Sequence, residues 1–228
     1  MPLTATLSII VPTLDAEKHL PRCLESLIEG LTSGLIRDLV ITDGGSTDTT
    51  AEMADAAGAT LVTGPASRGG QLRRGVAAAR ADWILVLHAD TALSHGWSQV
   101  VIDHIRDQGG PAHFRLAYRE NGLMPALVAG WANLRSQLFS LPYGDQGVLM
   151  RRTDYDAAGG YPDQPLMEDV ALVRALPRPL VRLDAQAITS ADRYLRDGWI
   201  RRGLRNLWTL LRYRLGTDPE RLAQGYRR

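Results

Sequence analysis

The chain has 228 residues, 26 basic and 25 acidic side chains and a formal net charge of +1, with 45% hydrophobic and 22% charged residues. These values exclude a disordered or fibrous chain and predict one domain with an appendage, since domains run to roughly 100–200 residues. The single cysteine, Cys23, excludes an internal disulfide and a thiolate zinc site, and the single lysine, Lys18, lies in no phosphate-binding Gly-Lys-Ser/Thr context.

Strand and helix signals then alternate. Leu7 to Val11 is a β-rich run ended by Pro12, and Leu20, Leu24, Leu27, Ile28 and Leu31 recur at helical spacing. Leu39-Val40-Ile41 predicts a second strand ending at Asp43-Gly44-Gly45, with Ser46 or Asp48 capping a helix to about Ala57. Thr60 to Val62 predicts a third strand, Gln71 to Arg80 a helix, and Trp83 to Leu87 a central strand apolar on both faces. Four β-α units imply a mostly parallel sheet with helices on both faces, whose ligand site lies at the carboxyl ends of the strands. There the sequence places Asp15, Asp43 and Asp90 along one edge.

The second half is less regular. Ala112 to Tyr118 alternates as an antiparallel strand, Leu123 to Leu141 is helical, and Gly147 to Met150 is a short strand. Met167 to Leu176 is a short helix opening on Glu168-Asp169, and Trp199 to Leu215 is an amphipathic, arginine-studded helix. Residues 1–192 are therefore expected to form the main domain, with one half to about 110 and a second over 111–192. Residues 193–228 form a C-terminal extension with ten arginines against three acidic residues. A basic extension on a mildly acidic body predicts an anionic partner. No uninterrupted run of about 18 apolar residues occurs, and the N-terminus lacks a signal-peptide pattern. A cytoplasmic location is the expectation.

The loop after the first strand discriminates among nucleotide chemistries. Pro12-Thr13-Leu14-Asp15 contains no glycine, so the dinucleotide fingerprint is absent. Carboxylates at a phosphate site repel the ligand unless a divalent cation such as Mg²⁺ or Mn²⁺ intervenes. The spacing equally allows Asp90 to cap a helix near Ser94, and Glu168 and Asp169 to do no more than favour a helix dipole.

Ser8-Ile9-Ile10-Val11-Pro12-Thr13, Asp43-Gly44-Gly45-Ser46-Thr47-Asp48, His88-Ala89-Asp90, Gly144-Asp145-Gln146-Gly147 and Glu168-Asp169 follow in an order that resembles family 2 glycosyltransferases of the GT-A fold. Within that family the chain is most similar to small bacterial enzymes described as radical-SAM/selenodomain-associated. The resemblance runs from about Leu7 to Leu215 and implies a nucleotide-sugar donor, a divalent cation and inverting transfer. By the resemblance, Pro12, Thr13 and Asp15 lie by the base and ribose, and Asp43 accepts a hydrogen bond from the base, favouring uracil. Arg68 and Gln71 adjoin the base or diphosphate, with Arg73 and Arg74 as further cations. Asp90 binds the metal with His88 in the place of an acid. Gly144, Asp145, Gln146 and Glu168 hold the acceptor, and Asp169 is the general base, oriented by Glu168. Two departures, His88 for an acid and Gly44 for the second acid of Asp-Asp-Gly-Ser, allow a catalytically degenerate nucleotide-binding or membrane-surface regulatory protein as the alternative.

Trp131, Phe139 and Tyr143 are candidates for an acceptor groove or for core packing. The apolar stripe Trp199, Ile200, Leu204, Leu207, Trp208, Leu211 and Leu215 either packs on the sheet, with its arginines in water, or lies at an anionic membrane surface. In the second case the enzyme sits at the inner face of the cell membrane and the acceptor is a lipid or lipid-linked sugar. His19, His95, His104 and His113 match no metal spacing, and no nucleic-acid-reading module is present, so a nucleic-acid partner is not expected.

Overall fold

The computed structural model describes residues 5–226. The elements in chain order are β1 (Leu7–Thr13), α1 (Leu20–Thr32), β2 (Ile36–Asp43), α2 (Thr50–Ala56), β3 (Thr60–Thr63), α3 (Arg68–Ala78), β4 (Trp83–Val86), β5 (Thr91–Leu93) and α4 (Trp97–Arg106). They continue as β6 (Ala112–Tyr118), α5 (Leu123–Phe139), a 3₁₀ turn (Gly144–Gln146), β7 (Val148–Arg151), α6 (Arg152–Ala157), α7 (Glu168–Ala175), β8 (Val181–Thr189), α8 (Asp192–Asp197), α9 (Trp199–Arg214) and α10 (Pro219–Tyr226).

Eight strands form one sheet in the order β3-β2-β1-β4-β7-β6-β8-β5. The first four are parallel neighbours, as the alternating signals require, while β7 runs antiparallel to β4 and β6. β6 is antiparallel to β7 but parallel to β8, and β8 is antiparallel to β5, so the second half of the sheet is mixed. This is a Rossmann-like GT-A fold. Side chains on a strand point alternately to the two faces. Leu7, Ile9 and Val11 of β1 thus enter one core with α1 and α4, and Ile10 enters the other with α3. Ser8 on that second face is buried but satisfied: it donates to Asp38 and accepts from the Ala81 amide.

The C-terminal helices are anchored to this body. Asp192 at the start of α8 takes hydrogen bonds from Lys18 Nζ and His19 Nε2. Leu210 of α9 and Leu222 of α10 close a third apolar cluster over Leu141, Leu166, Met167 and Val170. The packing of α9 departs from the expectation that its apolar stripe lies on the sheet. Its buried residues are Arg202, Thr209 and Leu210, whereas Ile200, Leu204, Leu207, Trp208, Leu211 and Leu215 are exposed. Packing the leucine stripe on the sheet is therefore ruled out. Arg202 is held inside by Asp197, at 3.0 Å, and the stripe faces outward. No helix among the described residues is long and apolar enough to cross a membrane.

Candidate active site

The site lies at the carboxyl ends of β1, β2 and β4. The loops after β1 and β2 are laced into one lip: the Asp15 amide donates to Ser46 Oγ at 2.8 Å, and Asp15 Oδ1 accepts from the Thr47 amide at 2.9 Å. Asp15 occupies the left-handed region, at φ 48°, to make the turn. Asp43 is buried and accepts from Thr13 Oγ1, Ser46 Oγ and the amides of Gly45 and Ser46. Those donors outweigh the burial that opposes ionisation, and hold its carboxyl below the usual range. A carboxylate has about four acceptor positions. All four are filled from within the protein, so a base N–H would have to displace one.

Gln71 of α3 is likewise committed: its amide donates to Thr13 O and Thr42 O, both at 2.8 Å, tying the ends of β1 and β2 together. That clamp accounts for Gly44. A Cβ there would press on Gln71 Oε1 at 3.1 Å, so the acid usual at this position would crowd the clamp. Pro12 is half-buried within β1, and its neighbour Thr13 is buried. Pro12, Thr13, Asp15 and Asp43 line neither of the two cavities described below.

After β4 the chain turns through His88-Ala89-Asp90 into β5. Asp90 does not cap α4. Glu29 does so instead, accepting from the amides of Gly96 and Ser98, both at 2.8 Å. Asp90 is left at the cavity wall with only long contacts, from Thr91 Oγ1 at 3.3 Å and Thr189 Oγ1 at 3.5 Å. Burial, reinforced by the charge of Arg68, pushes the His88 imidazole down to about 4, so the ring is neutral at pH 7. Its Nε2 lies against Gly144, where any Cβ would collide with the ring.

The opposite wall comes from the 3₁₀ turn and α7. The loop before α7 docks on the N-terminus of α3: Ser67 Oγ donates to Asp163 at 2.6 Å, and the Gly69 amide donates to Gln164 O at 3.1 Å. Met167 follows at φ 63°, a left-handed conformation that costs a side-chain-bearing residue of order 1–3 kcal/mol and is concentrated at functional sites. Beyond it, the adjacent carboxylates diverge. Glu168 turns inward, with 2% side-chain exposure, and pairs with Arg68 Nε at 3.5 Å. Burial raises its carboxyl to about 7 despite Arg68, and its Oε2 has no partner. Asp169 faces the cavity, with Oδ2 held by the Gly144 amide at 2.8 Å.

Asp145 and Gln146 also part company. Asp145 lines the cavity; burial raises its carboxyl to about 6 against the opposing pull of Arg135, and its Oδ1 is unpartnered. Gln146 faces away, fully buried among Ser136, Phe114 and Asn133, and is not placed to touch an acceptor.

Two cavities meet here. One, of about 410 Å³, is lined at its polar end by Arg68, His88, Asp90, Gly144, Asp145 and Asp169 and runs out between α5 and α9. The other, of about 270 Å³, lies against Leu14, Ser67, Arg68 and Gln71, with Arg193, Arg196 and Arg202 also in its lining. Arg68 and Arg193 border both. Arg193 was not picked out from the sequence, where it opens the basic extension; only the return of α8 to the site reveals it. Arg73 and Arg74 line neither cavity, and Arg74 donates to Pro65 O instead. Trp131 and Tyr143 line the larger cavity, whereas Phe139 is exposed on α5. Of the other histidines, His104 bonds Gly110 O and His113 bonds Phe114 O, while His19 pairs with Asp192.

The donor set fits an open cation site. Among the described residues no three His, Cys, Asp or Glu side chains are grouped as a closed cage. A neutral imidazole at His88 and the carboxylate of Asp90 would offer two ligands, leaving positions for other oxygens. The charges of Asp169 and Asp90 add to the upward push of burial on Asp145, and a divalent cation would relieve it.

Fold and site together define a GT-A-fold protein with a carboxylate-lined cleft. Residues 8–112 match the family model described as Glycosyl transferase family 2. Over 99 residues the chain is 33% identical to glucosyl-3-phosphoglycerate synthase of Mycolicibacterium paratuberculosis, covering 40% of this chain and 30% of the relative, so it spans under a third of that protein. It is similar in structure to glucosyl-3-phosphoglycerate synthase from Mycobacterium tuberculosis in complex with Mn²⁺, uridine diphosphate and glucosyl-3-phosphoglycerate, with a TM-score of 0.53 and 21% identity over 81% of this chain and 70% of the other. S. aureus TarS in complex with UDP-GlcNAc is similar with a TM-score of 0.61 and 15% identity, over 81% and 58%. At these identities the structural likeness is one of fold.

Proposed function

We propose that this protein is an inverting glycosyltransferase that moves a sugar from a nucleotide-diphosphate donor, a UDP-sugar, to a hydroxyl acceptor with the help of Mn²⁺ or Mg²⁺. One observation carries the reading: the two cavities meet where Arg68 and Arg193 stand beside the His88–Asp90 pair, with Asp169 in the cavity wall. The nucleotide occupies the smaller cavity beneath the lip built by Pro12, Thr13, Asp15 and Asp43. Asp43 acts through the loop it holds. The cation, held by Asp90 and His88, would supply positive charge to the diphosphate. Relatives of this fold crystallised with Mn²⁺ and UDP support that assignment.

Transfer breaks the bond from the anomeric carbon to the diphosphate oxygen, which leaves with the electron pair. The acceptor oxygen bonds to that carbon from the opposite face and gives its proton to Asp169, the same displacement geometry by which a carboxylate activates water in inverting hydrolases. The Gly144 amide fixes the Asp169 carboxylate in place. Glu168, expected to orient Asp169 or hold the acceptor, instead lies behind the cavity wall and acts by holding Arg68, and Asp145 lies within reach of acceptor hydroxyls. Arg68 and Arg193 neutralise the departing diphosphate. The same reading places the protein in peripheral contact, through α9, with the inner face of the cell membrane, and assigns it to the radical-SAM/selenodomain-associated group.

Asp169→Asn should lower transfer by roughly a hundredfold to ten-thousandfold and leave UDP binding in Mn²⁺ unchanged by calorimetry. Normal turnover in that variant removes Asp169 from the role. Donor binding without release of nucleoside diphosphate, even in the parent protein, would mark the catalytically degenerate alternative.

A further inference from the structure

Beyond its acidic cluster the larger cavity is mostly apolar, with Arg135, Tyr194, Arg202 and Asn206 as further polar groups in its lining. Further out its walls are Leu127 and Trp131 of α5 and Ile200, Leu204 and Leu207 of α9. The same side chains are open to solvent: Trp131 is 53% exposed, Leu204 62% and Ile200 70%. They continue into Leu123, Leu134 and Leu138 on α5 and Trp208, Leu211 and Leu215 on α9. Eleven of the 18 exposed large hydrophobic side chains among the described residues lie on these two helices, and a twelfth, Leu215, caps α9. Contiguous apolar surface of this kind marks a binding face. An acceptor that filled only the cavity would leave the rim in water.

Arg201, Arg205, Arg212 and Arg214 flank the stripe on α9. A second copy related by twofold symmetry would set the same arginines against each other, whereas anionic headgroups complement them.

We infer that the acceptor is a hydroxyl-bearing membrane lipid whose hydrocarbon chain lies in the cavity between α5 and α9, reached from an anionic bilayer on which the two helices rest. The inference rests on the transferase reading and names its acceptor class. The chain enters between the helices, the apolar walls replace the bilayer around it, and its hydroxyl arrives at Asp169. The ligand-sized cavity of about 410 Å³ suits part of one such chain.

The test uses the full chain in three arms. Thermal shift with UDP and Mn²⁺ tests the donor reading alone. Flotation on phosphatidylglycerol vesicles and on phosphatidylcholine vesicles tests the surface. Binding of straight-chain alcohols from hexanol to dodecanol, read by tryptophan fluorescence, tests the cavity. The protein should float with the anionic vesicles only, and affinity should rise roughly fourfold for each added methylene until the cavity is full. Leu204→Glu should weaken both by roughly tenfold or more, and Leu31→Glu, on the exposed side of α1, should change neither. Affinity independent of chain length, or equal neglect of both vesicles, overturns the inference. So does a dimer in light scattering that Leu204→Glu abolishes, since a second copy would then own the face. A donor shift with failed lipid arms sinks the acceptor inference alone; an absent donor shift sinks the transferase reading.

Discussion

Glu168 and Asp169 are neighbours in sequence with opposite environments. The first residues of a helix project about 100° apart, so one carboxylate can be buried while the next faces the cleft. Glu168 lies against Arg68 with one oxygen unpartnered, and burial raises its carboxyl from the ordinary 4.5 to about 7. The folded state thus holds this proton more tightly than the unfolded chain. The stability it contributes is fully present below pH 4.5 and is lost as pH rises through about 7. Scanning calorimetry at constant ionic strength should show the melting temperature of the parent protein falling across that interval, and Glu168→Gln should flatten the fall. An unchanged slope would mean that the carboxyl titrates normally. Gly144 gives a second residue-scale prediction. Its missing Cβ leaves room for the His88 ring, so Gly144→Ala should displace the imidazole and weaken Mn²⁺-dependent UDP binding by roughly tenfold to a hundredfold. Circular dichroism should report an intact fold.

Among the elements, the junction of α3 with the loop before α7 sets the relation between Arg68 and Glu168. A Cβ on Gly69 would run into the carbonyl oxygen of Pro162, which is backbone and cannot swing aside. Gly69→Ala should therefore cost about 1–3 kcal/mol in denaturant unfolding and lower transfer as well, because the displaced loop carries Met167, Glu168 and Asp169 with it. Loss of stability with full activity would show that the loop adjusts independently of the site. The lip formed by the loops after β1 and β2 is over-determined by comparison: hydrogen bonds run in both directions between Asp15 and the Ser46-Thr47 segment, and Gln71 clamps it from beneath.

In the molecule as a whole, the C-terminal helices complete the site. Arg193 borders both cavities, α9 forms a wall of the larger one, and Leu210 and Leu222 seal the cluster over α7. Leu210→Ala should cost about 2–5 kcal/mol, and circular dichroism and tryptophan fluorescence should follow one shared unfolding transition. Two separated transitions would make residues 193–228 an independent unit.

What the sequence determined by itself was whatever is written in local periodicity and in short segments. Alternating apolar runs specified β1 to β4 and their parallel order, and the motif residues placed His88, Asp90, Asp145 and Asp169 at strand ends or turns that do converge. The pairing of β8 with β6 and β5 was not legible, because strand partnership is a contact between segments 60 or more residues apart with no local signature. Only the tertiary structure decided that Asp43, Gln71 and Gln146 spend their hydrogen bonds inside the protein, that Glu29 rather than Asp90 caps α4, and that the leucine stripe of α9 faces outward. Periodicity shows that a helix has an apolar face; which way that face points depends on what else competes for the surface beneath it. Here the buried pairing of Arg202 with Asp197, and the closure of Leu210 over α7, turned the stripe away from the core.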